Sequence, residues 1–326
     1  MKIGTVELPD FPVMLAPMED ITDPPFRLLC KRLGADVVFT EFIASEGLIR
    51  EVARSRRKLE LSDSERPAAI QLFGNNVEAM VMAARLAEEA GPDFIDLNFG
   101  CPVRKIVNKG GGAALLQNIP LMLEITRSVA KAVKVPVTVK TRLGWDEKSR
   151  IIVDLAPRLQ DCGIAALTIH GRTRAQLYGG KADWTLIGEV KNTPGIHIPI
   201  VGNGDVTDGP SALQMKLSTG ADGIMIGRGA IGNPWIFGQV KQFLATGCIL
   251  PMPGVAERVE ICREHLFLSA QWKGETTALL ETRRHYARYF SGLPDFKPFK
   301  LSLLTATTIQ QVSETLEQIE KIYRNS

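Results

Sequence analysis

The 326-residue sequence contains few histidines, cysteines and aromatic side chains. Its four histidines lie far apart, at positions 170, 197, 265 and 285, and its five cysteines, at 30, 101, 162, 248 and 262, form no Cys-x-x-Cys pair. Neither set has the spacing of a metal site, and an odd cysteine count does not suit a disulfide scaffold. We therefore expect no metal ion, no structural disulfide and a reducing compartment.

Long hydrophobic runs and a large net charge are absent as well. No uncharged stretch of about 18 apolar residues occurs, and Met1–Glu7 lacks the apolar core of a signal peptide. The net charge of +3 excludes a strongly basic protein that coats nucleic acid. We expect a cytoplasmic monomer without membrane contacts, and the 45% hydrophobic content is sufficient for a large core.

Eight short apolar runs, rich in β-branched residues, recur through the first three quarters of the chain. Helical patterns separate most of them; for example, Val77, Met80, Val81 and Ala84 share one helix face, and Gly91 is a suitable end for that helix. The runs are 13–16, 37–39, 69–72, 94–97, 137–140, 166–169, 198–201 and 223–226. Alternating strands and helices in this number predict an α/β fold, a (β/α)8 TIM barrel, with a doubly wound sheet as the alternative.

The composition changes after the eighth unit. Residues 245–254 contain Thr246-Gly247 and Pro251-Met252-Pro253-Gly254, which is typical of a linker. Only helical patterns follow, and the last of them carries an apolar stripe of Ile309, Val312, Leu316 and Ile319. We predict a catalytic barrel domain over 1–245 and a small helical C-terminal domain over 255–326.

Polar residues and glycines concentrate just after the predicted strands, where TIM barrels carry their active sites. They include Pro17, Met18, Glu41, Gln71, Asn98, Cys101, Lys140, Arg142, His170, Arg172, Asn203, Gly204, Asp205, Gly227 and Arg228. Cys101 is the most informative, because a thiol at a strand-to-loop junction is placed for proton transfer or nucleophilic attack. A lone cysteine is otherwise a small buried hydrophobe.

The loops after the seventh and eighth strands predict a phosphate site. Residues 227–232 match G-x-G-x-x-G, but the match follows the eighth strand and Asn233-Pro234 comes next, so a Rossmann dinucleotide site is rejected. Glycines in 203–205 and 227–229 let backbone N–H groups approach a phosphate, and Arg228 adds a cation. The alternative is that these glycines only permit tight turns.

Other side chains admit two interpretations each. Lys140 and Arg142 share one face of the fifth strand and need an anionic partner, although an inward lysine could also form a Schiff base. Gln71 can hydrogen-bond a planar heterocycle or simply cap its strand. His170 has no partner that indicates nucleophilic or metal chemistry.

Two basic stretches could contact a phosphate backbone. One contains Arg50, Arg54, Arg56, Arg57 and Lys58; the other contains Arg283, Arg284, Arg288, Lys297 and Lys300, interleaved with His285, Tyr286, Tyr289 and Phe290. Basic residues with aromatic neighbours can bind phosphates and stack bases. A solvated helix face explains the pattern equally well.

Seven motifs together resemble the tRNA-dihydrouridine synthase family, closest to its bacterial B-type branch, over essentially the whole chain. They are Ala16-Pro17-Met18 with Ile21-Thr22-Asp23, Gln71-Leu72-Phe73-Gly74, Asp96-Leu97-Asn98-Phe99-Gly100-Cys101-Pro102, Val139-Lys140-Thr141-Arg142, His170-Gly171-Arg172-Thr173, Gly202-Asn203-Gly204-Asp205 and Met225-Ile226-Gly227-Arg228. The resemblance implies an FMN-containing barrel that uses NADPH to reduce the C5–C6 double bond of particular tRNA uridines.

The resemblance also implies roles for individual residues. The implied FMN contacts are Pro17, Met18, Glu19, Gln71, Lys140, His170, Asn203, Gly204, Asp205, Gly227 and Arg228. Cys101 is the implied proton donor; the expected substrate contacts are Asn98, Arg142, Arg172, Arg283, Arg284 and Arg288. The sequence departs from the family at Glu19-Asp20, where small residues are common, so only a backbone contact is expected at 19.

Two alternatives to a tRNA reductase remain. An FMN barrel acting on a free pyrimidine or another small enone would use the same loops but leave the basic helical region without a role. A non-catalytic RNA-binding barrel would bind no flavin, and substitution of Cys101 would change no product.

Overall fold

Parallel strands and surrounding helices form the first three quarters of the molecule in the computed structural model, which describes residues 1–324. The strands are β1 (Lys2–Ile3), β2 (Val6–Glu7), β3 (Val13–Leu15), β4 (Val38–Phe39), β5 (Ile43–Ala44), β6 (Ala68–Phe73), β7 (Phe94–Phe99), β8 (Val137–Arg142), β9 (Ala166–His170), β10 (Ile200–Asn203) and β11 (Gly223–Ile226).

The helices on the outside of the barrel include several single-turn segments. They are α1 (Pro24–Arg32), α2 (Ser45–Ile49), α3 (Ala53–Arg57), α4 (Val77–Glu89), α5 (Arg104–Val107), α6 (Ile119–Ala132), α7 (Ile152–Gln160), α8 (Thr185–Lys191), α9 (Gly209–Thr219) and α10 (Ile236–Thr246). Short 3-10 helices cover Asp63–Glu65, Gly112–Gln117 and Arg228–Ala230.

The strand order confirms the TIM barrel and excludes a doubly wound sheet. The parallel sheet runs β3-β11-β10-β9-β8-β7-β6-β4, so the first strand pairs with the last. A parallel bridge between Met14 and Val37 joins β3 to β4 and completes the ring. All eight predicted runs supply a strand of this ring.

Alternation along the strands explains why their apolar runs lack polar gaps. On β3, Val13 and Leu15 pack with the helices outside, whereas Met14 faces the interior with residues of other strands. Ile3 of the β1–β2 hairpin belongs to the same interior cluster and fills the N-terminal end of the barrel. Both faces are therefore buried, as in other parallel sheets.

Local signals begin and end α4, and the end lies where the sequence predicts. Asn76 caps α4 by accepting a hydrogen bond from the amide of Ala79 at 2.8 Å, and Gly91 adopts φ +70° after its last turn. A positive φ is easy for glycine and costly for most other residues, which makes Gly91 an effective stop.

A bundle of four helices follows the barrel, after a connection that begins at Gly247. It comprises α11 (Val255–Lys273), α12 (Glu275–Tyr289), α13 (Lys297–Thr305) and α14 (Ile309–Tyr323). Val312, Leu316 and Ile319 are fully buried and Ile309 packs partly buried against the same core, which confirms the predicted stripe on the last helix. In the described part of the chain no helix is both long and apolar enough to cross a membrane.

The bundle packs directly on the barrel. Its apolar core includes Leu29 of α1 and Trp235, which precedes α10. A buried ion pair joins Lys273 of α11 to Asp23 at 2.5 Å. This packing brings α12 beside the loops at the C-terminal end of the barrel.

Candidate functional site

A cavity of about 640 Å³ opens at the C-terminal ends of the strands, where the sequence predicts chemistry. Most of the predicted residues line it: Pro17, Met18, Glu19, Asn98, Cys101, Lys140, Arg142, His170, Asn203, Gly204, Asp205, Gly227, Arg228 and Arg288. Four of the residues with an implied cofactor or substrate role lie outside this lining, namely Gln71, Arg172, Arg283 and Arg284, and so does Glu41.

The Cys101 thiol is held at the cavity wall by the loop after β7. The side-chain oxygen of Asn98 accepts hydrogen bonds from the amides of Gly100 and Cys101, at 3.0 and 2.9 Å. Gly112, at φ +57°, packs so close that an added Cβ would lie 2.8 Å from the Cys101 carbonyl oxygen. Burial raises the pKa of the Cys101 thiol above its usual value, so the sulfur keeps its proton at neutral pH.

A buried chain of hydrogen bonds supports Asn98 from below. Thr138 donates to Asp96 at 2.5 Å, Gln71 donates to the other oxygen of Asp96 at 2.6 Å, and Asn98 donates to Gln71 at 2.8 Å. An acceptor-only carboxylate at the base fixes the direction of both amides. Gln71 is fully buried, and its side chain bonds Asp96 and Asn98 instead of lining the cavity.

Lys140 supplies a positive charge to the cavity without a carboxylate partner. Its Nζ donates to the side-chain oxygen of Asn203 at 3.0 Å, and Asn203 is itself fixed by a bond to the carbonyl of Met225. In residues 1–324 it forms no ion pair. Burial, together with the charge of Arg142, lowers the pKa of Lys140 to about 8. An anionic ligand beside Lys140 would stabilise its charged form and raise its pKa again.

His170 is neutral and its tautomer is defined. Burial and the surrounding cations lower the pKa of His170 well below its usual value. Arg172 lies 3.3 Å from Nε2, and because a guanidinium can only donate, Nε2 accepts and Nδ1 carries the proton. His170 is therefore available to the cavity as a neutral hydrogen-bonding group.

Arg172 has a different position from the one expected for a substrate contact. It is 1% exposed and donates to the carbonyl oxygens of Gly179 and Gly180 and to the carboxylate of Asp205. Through these bonds the guanidinium connects the loop after β9 to the loop after β10. Its side chain supports the cavity from behind.

Arg142 and Tyr178 form one part of the cavity wall, and of the two only Arg142 was predicted from the sequence. Arg142 donates to the carbonyl of Gly100 at 2.7 Å and to those of Thr173 and Leu177. Tyr178 was missed; it is 51% exposed, and the guanidinium carbons of Arg142 and Arg228 lie 5.6 and 5.4 Å from its ring centre. The signal was an aromatic residue before Gly179-Gly180 in a loop that follows a strand end.

The two glycine loops present unpaired backbone amides. Gly204 adopts φ +117° and Asp205 φ +54°, so the chain turns sharply after β10. Among the described residues, the amides of Gly204, Asp205, Gly227, Arg228 and Gly229 have no acceptor. Arg172 and Arg228 pair with the Asp205 carboxylate, so its negative charge is compensated next to the unpaired amides. Converging N–H groups beside a cation suit a phosphate.

Acidic residues after β3 bind two cations of the basic stretch at 50–58, whereas Arg50 and Arg56 pair with Glu46 and Glu51. Glu19 pairs with Lys58 at 2.6 Å and with Arg54 at 3.3 Å, while Asp20 pairs with Arg54 and Arg284. Glu41 accepts the amide of Asp20 at 2.5 Å, and burial raises its pKa to about 7. The carboxylates of Glu19, Asp20 and Glu41 lie close enough together to hold a metal ion. Basic side chains neutralise them in this structure, and the expectation of no metal stays a prediction.

The second basic stretch lies on α12, and the structure separates its cations from its aromatics. His285, Tyr286, Tyr289 and Phe290 are all buried, so the interpretation that they stack bases is wrong. Arg283 donates to the carbonyl of Ala306, and Arg284 to the carbonyl of Asp20. Arg288 donates to the carbonyl of Arg228 at 3.2 Å and is the one cation of this stretch in the cavity lining of the described chain.

Comparison with known proteins identifies the family. A family model described as dihydrouridine synthase matches residues 14–325. A probable tRNA-dihydrouridine synthase of Rickettsia bellii is 40% identical over 301 residues, covering 92% of this chain and 91% of the relative. The tRNA-dihydrouridine synthase B of Pseudomonas putida is 40% identical over 289 residues, covering 88% and 85%.

Solved structures share the barrel at low sequence identity. A 2-naphthoyl-CoA reductase complex superposes with a TM-score of 0.59 at 12% identity, covering 74% of this chain and 51% of the other. A morphinone reductase mutant gives a TM-score of 0.51 at 15% identity, covering 74% and 89%. These likenesses support the fold, and the family match defines the class: the chain belongs to the dihydrouridine synthase family and is an oxidoreductase.

Proposed function

We propose that the protein reduces the C5–C6 double bond of uridines in tRNA, with FMN as cofactor and NADPH as the source of electrons. The match to the dihydrouridine synthase family over residues 14–325 carries the proposal. The relatives from Rickettsia bellii and Pseudomonas putida are named for tRNA dihydrouridine synthesis. The cavity adds the chemistry that such a reaction needs.

The residues of the cavity fit a flavin nucleotide. Its volume of about 640 Å³ is within the range of small-molecule sites. Five unpaired amides and Arg228 provide a phosphate site at one end. Lys140, a partly buried cation without a carboxylate, suits the electron-rich edge of a reduced ring system. Bound FMN would supply hydride transfer to the pyrimidine.

Each side chain of the wall has a distinct task in this proposal. The implied cofactor contacts are Pro17, Met18, the backbone of Glu19, Lys140, His170, Asn203, Gly204, Asp205, Gly227 and Arg228, all of which line the cavity. Gln71 belongs to this function through Asn98, which it orients. The Lys140 ammonium stabilises negative charge, and His170 donates a hydrogen bond without adding a charge.

Cys101 is the proposed proton donor to C5 of the uracil ring. Its raised pKa keeps the Sγ–H intact at neutral pH, which a general acid requires. Asn98 has one amide hydrogen left after its bond to Gln71 and can donate it to the base. Arg142 and Tyr178 line the cavity together with Cys101. They offer a cation and a planar ring to a pyrimidine.

The helical bundle is the proposed tRNA-binding domain. Arg284 keeps 48% of its side chain exposed beside Asp20, so it can still contact a phosphate. Arg288 and Arg283 retain donors beyond their backbone bonds. The target uridine must leave its stack to reach the cavity, which favours a second domain that holds the surrounding tRNA.

Mass-spectrometric detection of dihydrouridine in an unmodified tRNA transcript tests the proposal. Wild-type protein with FMN and NADPH is expected to form the product, and Cys101→Ala to lose it while remaining yellow. Cys162→Ala is the matched control, because Cys162 is another buried free thiol, on a loop remote from the cavity lining. The control is expected to retain activity.

The other outcomes favour the alternatives. A yellow protein that oxidises NADPH but forms no dihydrouridine, in transcripts and in tRNA carrying its other modifications, supports a reductase of a free pyrimidine or enone. A protein that binds tRNA without any flavin supports a non-catalytic RNA-binding barrel.

A further inference from the structure

Helix α12 of the bundle contacts the glycine loop after β11 at two points. The amide of Gly232 donates to Nδ1 of His285 at 3.0 Å, and Arg288 donates to the carbonyl of Arg228 at 3.2 Å. Both bonds cross from the barrel to the bundle. The loop between them, 227–232, is the one that presents three of the unpaired amides.

The fit between this loop and the helix is tight. Gly232 adopts φ +59°, and a Cβ added there would lie 2.3 Å from the carbonyl oxygen of His285 and 3.0 Å from Cβ of Arg288. Only a glycine permits this approach without displacing one element. The backbone of the loop therefore rests directly on the helix.

The buried His285 ring is placed to accept the hydrogen bond of the Gly232 amide and is shielded from solvent. It is 2% exposed and packs against Phe26 at 4.8 Å and His265 at 4.7 Å between ring centres. Burial lowers the pKa of His285 well below its usual value, with His265, Lys273 and Arg284 acting in the same direction, so Nδ1 keeps a free lone pair. His285 does not line the cavity.

The same helix also contacts the opposite wall. Arg284 donates to the carbonyl of Asp20 at 3.0 Å, in the loop that carries Met18 and Glu19 into the cavity. Consecutive residues of α12 thus hold the loops after the first and the last strand of the barrel. The bundle is positioned to set the separation of these two loops.

We propose that His285 is a positioning residue for the anion-binding loop, so that helix α12 of the bundle forms part of the cofactor site and retains the phosphate of FMN. The inference rests on the proposed function, and it adds that an element of the tRNA-binding domain determines phosphate recognition. Displacement of Gly232 would move the amides of 227–229 away from one another and weaken their joint contact with an anion.

Titration of the full-length protein with FMN and with riboflavin, followed by flavin fluorescence, tests this role. Riboflavin lacks the phosphate, so the ratio of the two dissociation constants reports on the phosphate site, of which this loop forms one side. For His285→Leu we expect FMN affinity to fall about fivefold to tenfold, the equivalent of one lost hydrogen bond, with riboflavin affinity unchanged. His285→Gln, which can still accept the amide, is expected to restore most of the selectivity.

Tyr289→Phe is the matched control. Tyr289 lies one turn along the same helix, is equally buried and bonds His265 at 3.0 Å, but does not contact the loop. Its ratio of dissociation constants should equal that of wild type. Should His285→Leu fail to fold, Gly232→Ala separates the loop from the helix from the other side and must give the same selective loss of FMN affinity.

The outcomes separate this inference from the function on which it rests. Equal loss of FMN and riboflavin affinity in His285→Leu, or no loss of either, overturns the positioning role while the proposed function stands. Failure of the wild-type protein to bind either flavin overturns both.

Discussion

Substitution of Asp96 by asparagine isolates one buried charge beneath the cavity. Asp96 is fully buried and accepts hydrogen bonds from Gln71 and Thr138. Asparagine has the same shape, can accept from Gln71, and can donate to the Thr138 hydroxyl in place of accepting from it. The variant therefore removes the charge while it preserves the chain of bonds up to Cys101.

The magnitude follows from the pKa of the carboxyl. Burial raises the pKa of Asp96 from 3.8 to about 6, against the opposing effects of its two donors and Lys140. Between these pH values the folded chain binds the proton and the unfolded chain does not, so stability falls as pH rises. The full shift corresponds to about 3 kcal/mol, and the interval from pH 4.5 to pH 8 to about 2 kcal/mol.

Urea denaturation of wild-type protein and Asp96→Asn at the two pH values provides the measurement. The stability of the variant minus that of wild type should rise by about 2 kcal/mol between pH 4.5 and pH 8. Titrating groups that do not interact with Asp96, such as Glu41, cancel in this difference. A difference that stays constant with pH would refute the reasoning, because it would show that Asp96 carries no desolvation penalty in the folded protein.

Two further predictions concern the contact between the domains and the position of the thiol. Lys273→Met should destabilise the protein by about 3–5 kcal/mol, because it leaves Asp23 and Glu281 without their buried partner. The matched exposed pair, Arg32 with Glu264, should lose less than about 1 kcal/mol in Arg32→Met. Equal losses in urea denaturation would contradict the importance of burial. Gly112→Ala should reduce dihydrouridine formation and speed iodoacetamide labelling of Cys101, since its Cβ would lie 3.1 Å from Cβ of Cys101. Gly163→Ala is the control, since its φ of +93° imposes a similar backbone penalty at a site where the new Cβ would make no close contact. Equal labelling rates at Cys101 in the two variants would argue against a contact between residue 112 and Cys101.

The barrel was predictable because its determinants are local. Each strand is a short apolar run buried on both faces, and helix signals such as Asn76 and Gly91 lie next to the residues they affect. The C-terminal ends of parallel strands must meet at one end of the barrel, so residues such as Cys101, Lys140 and His170 converge whatever the details of packing.

Depth and partners within the site were not predictable. Gln71 and Asn98 both occupy strand ends, yet Gln71 lies beneath Asn98 because Asp96 accepts its amide. Arg172 resembles an exposed ligand contact in sequence, and only the fold shows that Asp205 and two glycine carbonyls surround it. Both outcomes depend on which side chains other strands bring near, and a linear pattern does not contain that information.

The aromatics of α12 show a different kind of error. Basic and aromatic residues alternate along 283–290, which suggests a surface that grips nucleic acid. A helical turn of 3.6 residues instead places His285, Tyr286 and Tyr289 on one face, and that face is the core of the bundle. The period of the helix, applied residue by residue, would have separated the two sets.

The packing of Leu29 and Trp235 into the bundle core has a consequence for protein engineering. Truncation of the chain in the connection after Gly247 would expose these two side chains. It would also remove Lys273, the ion-pair partner of Asp23. The barrel is therefore not a detachable catalytic module. A chimera designed to exchange tRNA specificity between related enzymes would have to transplant the outer face of α1 and the segment around Trp235 together with the helices, so the natural boundary for recombination is an interface rather than a point on the chain.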